Sequence, residues 1–283
     1  MSLDVRKTYK LFIGGKFPRS ESGRAYQPAG CPQVNVARAS RKDLRDAVGA
    51  ARAAAAGWSG MTAYNRGQIV YRLAEVLQTR SASLADEIAA CTSDGVDVAR
   101  AEVAACIDLV TWYAGLPDKL QSLLGSQNAV SGPFFNFSAV EPTGTIGLAA
   151  PTSPPLLGLL ALLLPVLSGA NTAVVVVSEP APLAGLALGE LLAVSDVPSG
   201  VVNLLAGSHE ELLPQMASHR DVDGLLLAGA PDRALGEAAA DSTKRVRFAD
   251  LPAAQWREPR ALCQLSWVEP FVEVKTFWHP VAE

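Results

Sequence analysis

Histidine is scarce in this sequence: 283 residues hold three, His209, His219 and His279. Cysteine is nearly as sparse, at Cys31, Cys91, Cys106 and Cys263, and no two of these form a C-x-x-C pair. Structural zinc is held by clustered cysteine and histidine ligands, so no metal centre is expected. Positive charge is also lacking. The 24 Lys and Arg residues are outnumbered by 28 Asp and Glu, for a net charge of −4. A protein that neutralises phosphates carries a basic footprint, so nucleic acid is excluded as a partner. No apolar run is long enough to cross a bilayer. The richest stretch, Leu156 to Leu164, meets Pro165 and then Ser168-Gly169. A span needs about 20 apolar residues, so a buried helix is expected and no membrane partner. Met1 to Phe12 is charged and polar with no apolar h-region, which argues against a secretory leader. A cytoplasmic chain with reduced thiols follows.

Apolar residues make up 49% of the chain and charged residues 18%, the balance of a globular protein with one large domain or two modest ones. Leu11 to Ser22 places strand-forming residues on either side of Gly14-Gly15, which predicts a hairpin. Val34 to Ala39 reads as a short strand. Ser40 is a candidate N-cap, with Asp43 three residues on in the capping-box position. Helices are predicted from there to about Trp58, then over Ala63–Gln78, Ala82–Thr92 and Val96–Leu116. After Ser131 the pattern changes. Phe134–Val140 is an aromatic strand, Glu141-Pro142-Thr143-Gly144 a turn, and Thr145–Ala150 a second strand. A Leu-rich helix follows over 156–167. Then come a strand at Thr172–Val177, a helix at Leu183–Val194, a strand at Val201–Leu205, a helix at Glu210–Ser218 and a strand at Gly224–Leu227. Val174 to Val177 lack polar alternation, as in a strand buried on both faces. Strands alternating with helices in this way predict a parallel, doubly wound sheet. The tail alternates apolar and polar residues from Phe271 to Trp278 and ends at His279-Pro280, which reads as an edge or exchanged strand.

Within that frame, several motifs resemble the NAD(P)-dependent aldehyde dehydrogenase superfamily. Glu141-Pro142-Thr143-Gly144-Thr145-Ile146-Gly147 is similar to E-P-x-G-x-x-G, and Ser168-Gly169-Ala170-Asn171-Thr172 to A-G-N-T. Ser178-Glu179 with Pro182 resembles the end of K-P-S-E-x-T-P. Pro198-Ser199-Gly200-Val201-Val202-Asn203 resembles P-x-G-V-x-N, with Gly207 following. Ile13-Gly14-Gly15-Lys16 and Ser22-Gly23 fit the opening strands. The likeness extends to about Asp250, and its nearest flavour is the aldehyde dehydrogenase 16 type, which carries a second, non-catalytic unit.

The departures from that family concern its chemistry. Where the family has P-W-N, this chain has Pro151-Thr152-Ser153. The resemblance implies that Ser153 replaces the asparagine that donates to the oxyanion, and losing one such donor costs about 3–4 kcal/mol in the barrier. The lysine and proline of K-P-S-E are Val176 and Val177. The F-T-G-S turn reads Leu227-Ala228-Gly229-Ala230. In place of E-L-G-G, whose Glu is the family's general base, stands Val246 to Leu251 with Asp250 as the nearest acid. From Trp256-Arg257-Glu258 onward the chain resembles the family's extreme C-terminus, and Glu273-Val274-Lys275-Thr276 matches its E-V-K-T strand. The region between, with the nucleophilic cysteine, has no counterpart. Cys263 lies in Ala261-Leu262-Cys263-Gln264-Leu265, which is not the cysteine loop, and reads as a buried or interfacial thiol. Cys91 and Cys106 lie on helical faces.

These readings combine into one expectation. The fold is α/β, a three-layer parallel doubly wound sheet of Rossmann-like type, with a small β oligomerisation arm built from the N-terminal hairpin region, residues 131–143 and the C-terminal strand. Residues 1–255 form the cofactor-binding-type domain and 256–283 a tail with the oligomerisation strand, the catalytic domain being absent. No catalytic residue is assigned. The resemblance implies a cofactor edge at Glu179, Ser178, Gly207 and Gly229, although the lost lysine argues that no cofactor binds, with NAD or NADP as the alternative occupant. The expected partner is a second copy, or a full-length aldehyde dehydrogenase, engaged through strands 131–143 and 271–278. The alternative is a residual NAD(P)-dependent aldehyde oxidoreductase or a nucleotide-sensing module.

Overall fold

The computed structural model describes residues 7–281. Half of the segment read as lacking a leader, residues 1–6, lies outside it. In chain order the elements are β1 (Ala25–Tyr26), β2 (Val36–Ala37), α1 (Arg41–Gly60), α2 (Ala63–Thr79), α3 (Ser81–Cys91), α4 (Val96–Ala114), α5 (Leu120–Leu124), β3 (Ser126–Asn128), β4 (Phe134–Pro142) and β5 (Thr145–Ala149). They continue with α6 (Leu157–Ser168), β6 (Thr172–Val176), α7 (Leu183–Leu192), β7 (Val202–Leu205), α8 (His209–Ser218), β8 (Gly224–Ala228), α9 (Arg233–Ala240), β9 (Arg245–Ala249), α10 (Pro259–Leu262) and β10 (Val272–Pro280).

The body is a five-stranded parallel sheet in the order β7-β6-β5-β8-β9. Every residue of β5, β6 and β7 is buried. Unbroken runs such as Thr172-Ala-Val-Val-Val176 are what a strand covered on both faces requires. α6 lies on this sheet with every residue buried. Pro165, expected to interrupt the Leu-rich run, sits inside the helix, whose last residue is Ser168. Proline costs the helix one amide donor, and packing on all sides outweighs that local loss. Ser40 caps α1 as predicted, accepting from Lys42 and Asp43 amides while Asp43 accepts from the Ser40 amide.

Three expectations are corrected. The N-terminal hairpin does form around Gly14 and Gly15, with φ of +57° and +75°, but it does not join the arm. Phe12 exchanges amide bonds with Leu204 at the β7 edge, and the Gly14 amide donates to Asn203. The hairpin therefore covers the open edge of the parallel sheet. The third strand of the arm is β3, whose Ser126 to Asn128 pair with Ser138 to Asn136 of β4. Glu141-Pro142, read as a turn, is the end of β4, because Val272 and Glu273 pair with them. The third correction concerns the thiols. Cys31 and Cys91 form a disulfide, leaving Cys106 and Cys263 free. Sixty residues separate the pair in sequence, so nothing in the spacing signals the bond.

Among the described residues, no helix is long and apolar enough to cross a membrane, and no group of three or more metal-ligating side chains is found.

Candidate functional site

The carboxyl edge of the parallel sheet is where open α/β folds bind ligands. β6 ends there at Val176, and the next residues carry the sequence-derived candidates. Val176 and Val177 are fully buried and carry no charge to the edge. The Ser178 hydroxyl is turned inward and donates to the Thr152 carbonyl at 3.1 Å, so it pins the loop after β5 rather than facing outward. Glu179 is half-buried, and its carboxylate accepts from the His209 amide at 3.0 Å. His209 opens α8 directly after Gly207-Ser208, so Glu179 at the end of β6 meets the helix that follows the neighbouring strand β7. An acid at a helix N-terminus satisfies a free amide and the helix dipole. The His209 ring bonds the Val177 carbonyl at 3.0 Å. Gly229 lies apart, at the end of β8 with β5 between it and β6, and its amide donates to Ala249 of β9.

The loop where the family's oxyanion donor would stand is also engaged internally. Ser153 is exposed, and Arg257 reaches it at 3.4 Å while pairing with Asp94 at 2.8 Å. Beneath them lies Glu102 of α4, which the sequence reading missed. It is 3% exposed and accepts from the Leu156 and Leu157 amides at 2.9 and 3.1 Å, capping α6. Burial pushes its carboxyl up, opposed by the two amides and by Arg257 3.9 Å away. Glu102, Arg257, Leu157 and Val98 line a cavity of about 380 Å³ at this corner. The helical period places Glu102 on the apolar stripe of α4, the one signal that could have exposed it.

Asp250 is exposed past the end of β9. The Cys263 thiol is pushed up by burial and then by Asp108, the reverse of what activates a nucleophile. The structure does not bring Asp250 and Cys263 together with Ser153 by any hydrogen bond.

The second candidate surface is the sheet β10-β4-β3. β10 pairs with β4 over nine residues, from Val272 with Pro142 to Pro280 with Phe134. One face carries Phe135, Phe137 and Phe277, with Phe137 and Phe277 stacked 5.0 Å apart. Lys275 lies over Phe277 and pairs with Glu141. The other face carries a hydrogen-bonded row, Asn128 to Asn136 and Ser138, and Ser138 to Thr276. After Val272 every residue of β10 is exposed, Trp278 at 60%.

The asparagines of the two best-matched motifs are joints of the fold. Asn171 is buried. It accepts from the Gly144 amide at 2.7 Å and donates to the Phe271 carbonyl at 2.8 Å, fastening the start of β10 to the start of β5. Asn203 accepts from Gly14 and donates to Gly200 and Ala173, fastening the N-terminal hairpin to the sheet.

Comparison with known proteins follows the same lines. The model of the aldehyde dehydrogenase family matches residues 18–249. The chain is 32% identical over 254 residues to cytosolic aldehyde dehydrogenase 1 of Elephantulus edwardii, covering 84% of this chain and 49% of that protein. It is 31% identical over 233 residues to the omega-crystallin of Enteroctopus dofleini, covering 80% and 46%. Among solved structures, PnpE from Pseudomonas sp. WBC-3 superposes with a TM-score of 0.81 at 27% identity, over 86% of this chain and 50% of that one. The NAD+ complex of aldehyde dehydrogenase from Bacillus cereus gives 0.80 at 26% identity, over 86% and 50%. The chain thus spans about half the length of the relatives it matches.

Proposed function

The chain belongs to the aldehyde dehydrogenase family, and we propose that within it this unit is non-catalytic and serves assembly, as a self-associating or partner-binding structural or regulatory subunit. The observation that carries the reading is β10. Among the described residues it pairs with β4 alone, and no strand joins its outer edge, along a strand that bears exposed Val274, Phe277 and Trp278. A long apolar edge invites strand addition, in which main-chain bonds give affinity and side chains give choice of partner. The chemistry has no comparable support. Ser153, Asp250 and Cys263 do not form a nucleophile–base–donor set, and burial raises the only half-exposed thiol. The occupant of the edge is a second copy or a full-length relative. A cytoplasmic setting belongs to the same reading.

The test is sedimentation velocity on the intact chain and on Phe277→Ser/Trp278→Ser. Assembly predicts a dimer or larger species for the parent, lost in the variant while its circular dichroism is unchanged. A parent that stays monomeric, and that does not bind an added full-length aldehyde dehydrogenase, overturns the reading.

A second reading rests on Glu179, which remains at the end of β6 beside the α8 N-terminus. It is a nucleotide-sensing module or residual oxidoreductase. The residues present fit only the adenosine end of NAD or NADP: Glu179 could accept from a ribose hydroxyl on releasing His209, while buried Val176 supplies no cation. The family's cofactor would supply a hydride acceptor; among the described residues, Ser153, Asp250 and Cys263 share no hydrogen bond that would join them to this edge. Calorimetric titration with NAD and NADP to millimolar ligand decides the sensing reading, since saturable heat supports it and no heat removes it. The oxidoreductase reading further requires NADH formation with an aldehyde, abolished by Cys263→Ala.

A further inference from the structure

The β1–β2 ribbon and its connecting loop, residues 27–35, form a strap across the corner that holds Glu179. Several fastenings hold it from the protein side, beginning with the Ala37 amide, which donates to the Tyr9 carbonyl at 3.0 Å. The Tyr26 hydroxyl donates to the Glu179 carbonyl at 3.2 Å, and the Gly30 amide donates to the Pro180 carbonyl at 3.0 Å. Arg24 and Arg38, flanking the ribbon, both pair with Glu211 in the first turn of α8, at 2.8 and 3.2 Å. The ribbon then continues into Ala39, whose amide donates to Ala206 after β7. The last fastening is covalent. Cys31 is bonded to Cys91, the last residue of α3.

The wedge is tight. A Cβ added to Gly30 would lie 2.0 Å from the Cys91 carbonyl oxygen and 2.6 Å from that of Pro180. Gly30 therefore lies between the end of α3 and the segment after β6, and the disulfide closes the gap immediately beside it. Both cysteines are buried, Cys31 at 0% and Cys91 at 4% exposure, whereas strap residues 29, 30, 32, 33 and 35 beside Cys31 are exposed. Segments with exposed backbone open locally at lower cost than the core, so a small reagent reaches the bond when the strap lifts.

We propose that Cys31–Cys91 is a thiol–disulfide exchange site at which a dithiol reductant unlocks this strap and frees the Glu179–Pro180 corner. One reductant thiolate attacks Cys91 Sγ and expels the Cys31 thiolate, which takes up a proton. The reductant's second thiol, as its thiolate, attacks the reductant sulfur of the mixed disulfide and expels the Cys91 thiolate, which takes up a proton. Cys31 and Cys91 end as thiols and the reductant as a cyclic disulfide, with two electrons transferred. The inference does not depend on whether the corner binds a nucleotide or the arm binds a partner.

The test uses the full chain with dithiothreitol as the reductant. Non-reducing peptide mapping after alkylation in denaturant should give a linked Cys31–Cys91 peptide and alkylated Cys106 and Cys263. Hydrogen exchange should then be at least about 10-fold faster across 26–35 and 178–183 in the reduced protein, with 126–142 and 272–280 unchanged. The unfolding temperature should fall by about 5–10 °C, as expected for opening a loop of this length. Cys31→Ser should reproduce the faster exchange without reductant. If that variant does not fold, reduction of the folded parent remains decisive. Four alkylated cysteines in the unreduced protein overturn the proposal, as does unchanged exchange at 178–183 once reduction is verified by mass.

Discussion

The two larger sheets of this molecule are made of opposite materials. β5, β6 and β7 are buried at every position and consist almost wholly of apolar residues, parallel and covered by helices. β4 and β10 alternate and pair antiparallel; β4 is partly covered, and β10 stands in solvent after Val272. The first sheet is held by burial, and the second by its ladder, a few aromatic pairs and a row of hydroxyl and amide bonds. A sheet of three strands whose longest outer strand is exposed from Glu273 onward sits at the margin of what stands unaided in water. That contrast supports an assembly role more than any single motif does, because burial of β10 against another chain would supply what the body already has.

The largest expected difference between the regions lies in the cost of truncation. Leu164→Ala, in the fully buried α6, should cost about 2–5 kcal/mol in denaturant unfolding. Phe277→Ala, in the arm, should cost no more than about 1.5 kcal/mol, the worth of its stacked pair with Phe137, in a monomer measurement at low concentration. Equal costs at the two sites would end the comparison by showing the arm to be as firmly folded as the body.

Between these extremes lies the joint. Asn171 ties Gly144, at the start of β5, to Phe271, at the start of β10, and is buried with both amide atoms used. Asn171→Ala should cost about 2–3 kcal/mol, since it leaves a buried amide and carbonyls without partners. Hydrogen exchange should show the loss at 142–145 and 271–273 before the rest of the body. A uniform loss would mean that arm and body unfold as one unit.

Much of this division was legible in the sequence. The run Val174–Val177 announced a doubly covered strand, and Phe271 to Trp278 announced an edge strand, because period and burial are local properties. The Ser40 capping box was readable for the same reason. What escaped were properties of distance in space. The N-terminal hairpin looked like arm material because both are short and β-rich, and only Phe12 against Leu204 shows that it closes the parallel sheet. Glu102 looked like one acid on a helix, but it caps α6 from 54 residues away. Ser178 and Glu179 were read as a cofactor edge from the motif alone. The structure engages them with Thr152 and His209, which a pattern of residue types does not encode. β9 was recognised only as the neighbourhood of a missing motif, since Arg245 to Ala249 mixes charged and apolar residues at a sheet edge.

The next prediction probes the helix cap at the body's ligand-type edge. Glu179→Gln keeps the shape but removes the charge that accepts from the His209 amide. It should cost about 0.5–1 kcal/mol through the α8 N-terminus, with no change in sedimentation. If association changed instead, the carboxyl edge and the arm would be coupled, and treating them as separate regions would be wrong.

The smallest effect concerns the strap, which is neither body nor arm. The Glu211 carboxyl is held below its usual range, first by its hydrogen bond from Arg24 and then by the Arg24 and Arg38 charges. A carboxyl whose folded value is depressed adds stability above its unfolded value, near 4.5, and loses it as pH falls through the folded value. Glu211→Gln should therefore lower stability at neutral pH and narrow its gap from the parent in acid. The pairs are partly exposed, with Arg24 and Arg38 side chains at 42% and 37%, so water screens them and the neutral-pH cost stays below about 1 kcal/mol. Repeating the pH series with the Cys31–Cys91 bond reduced sharpens the point. With the covalent anchor gone, the two arginine pairs carry more of the strap, and the pH-dependent part of the Glu211→Gln difference should grow. A difference that is the same in both redox states would mean that the ribbon is held at α8 and at α3 independently.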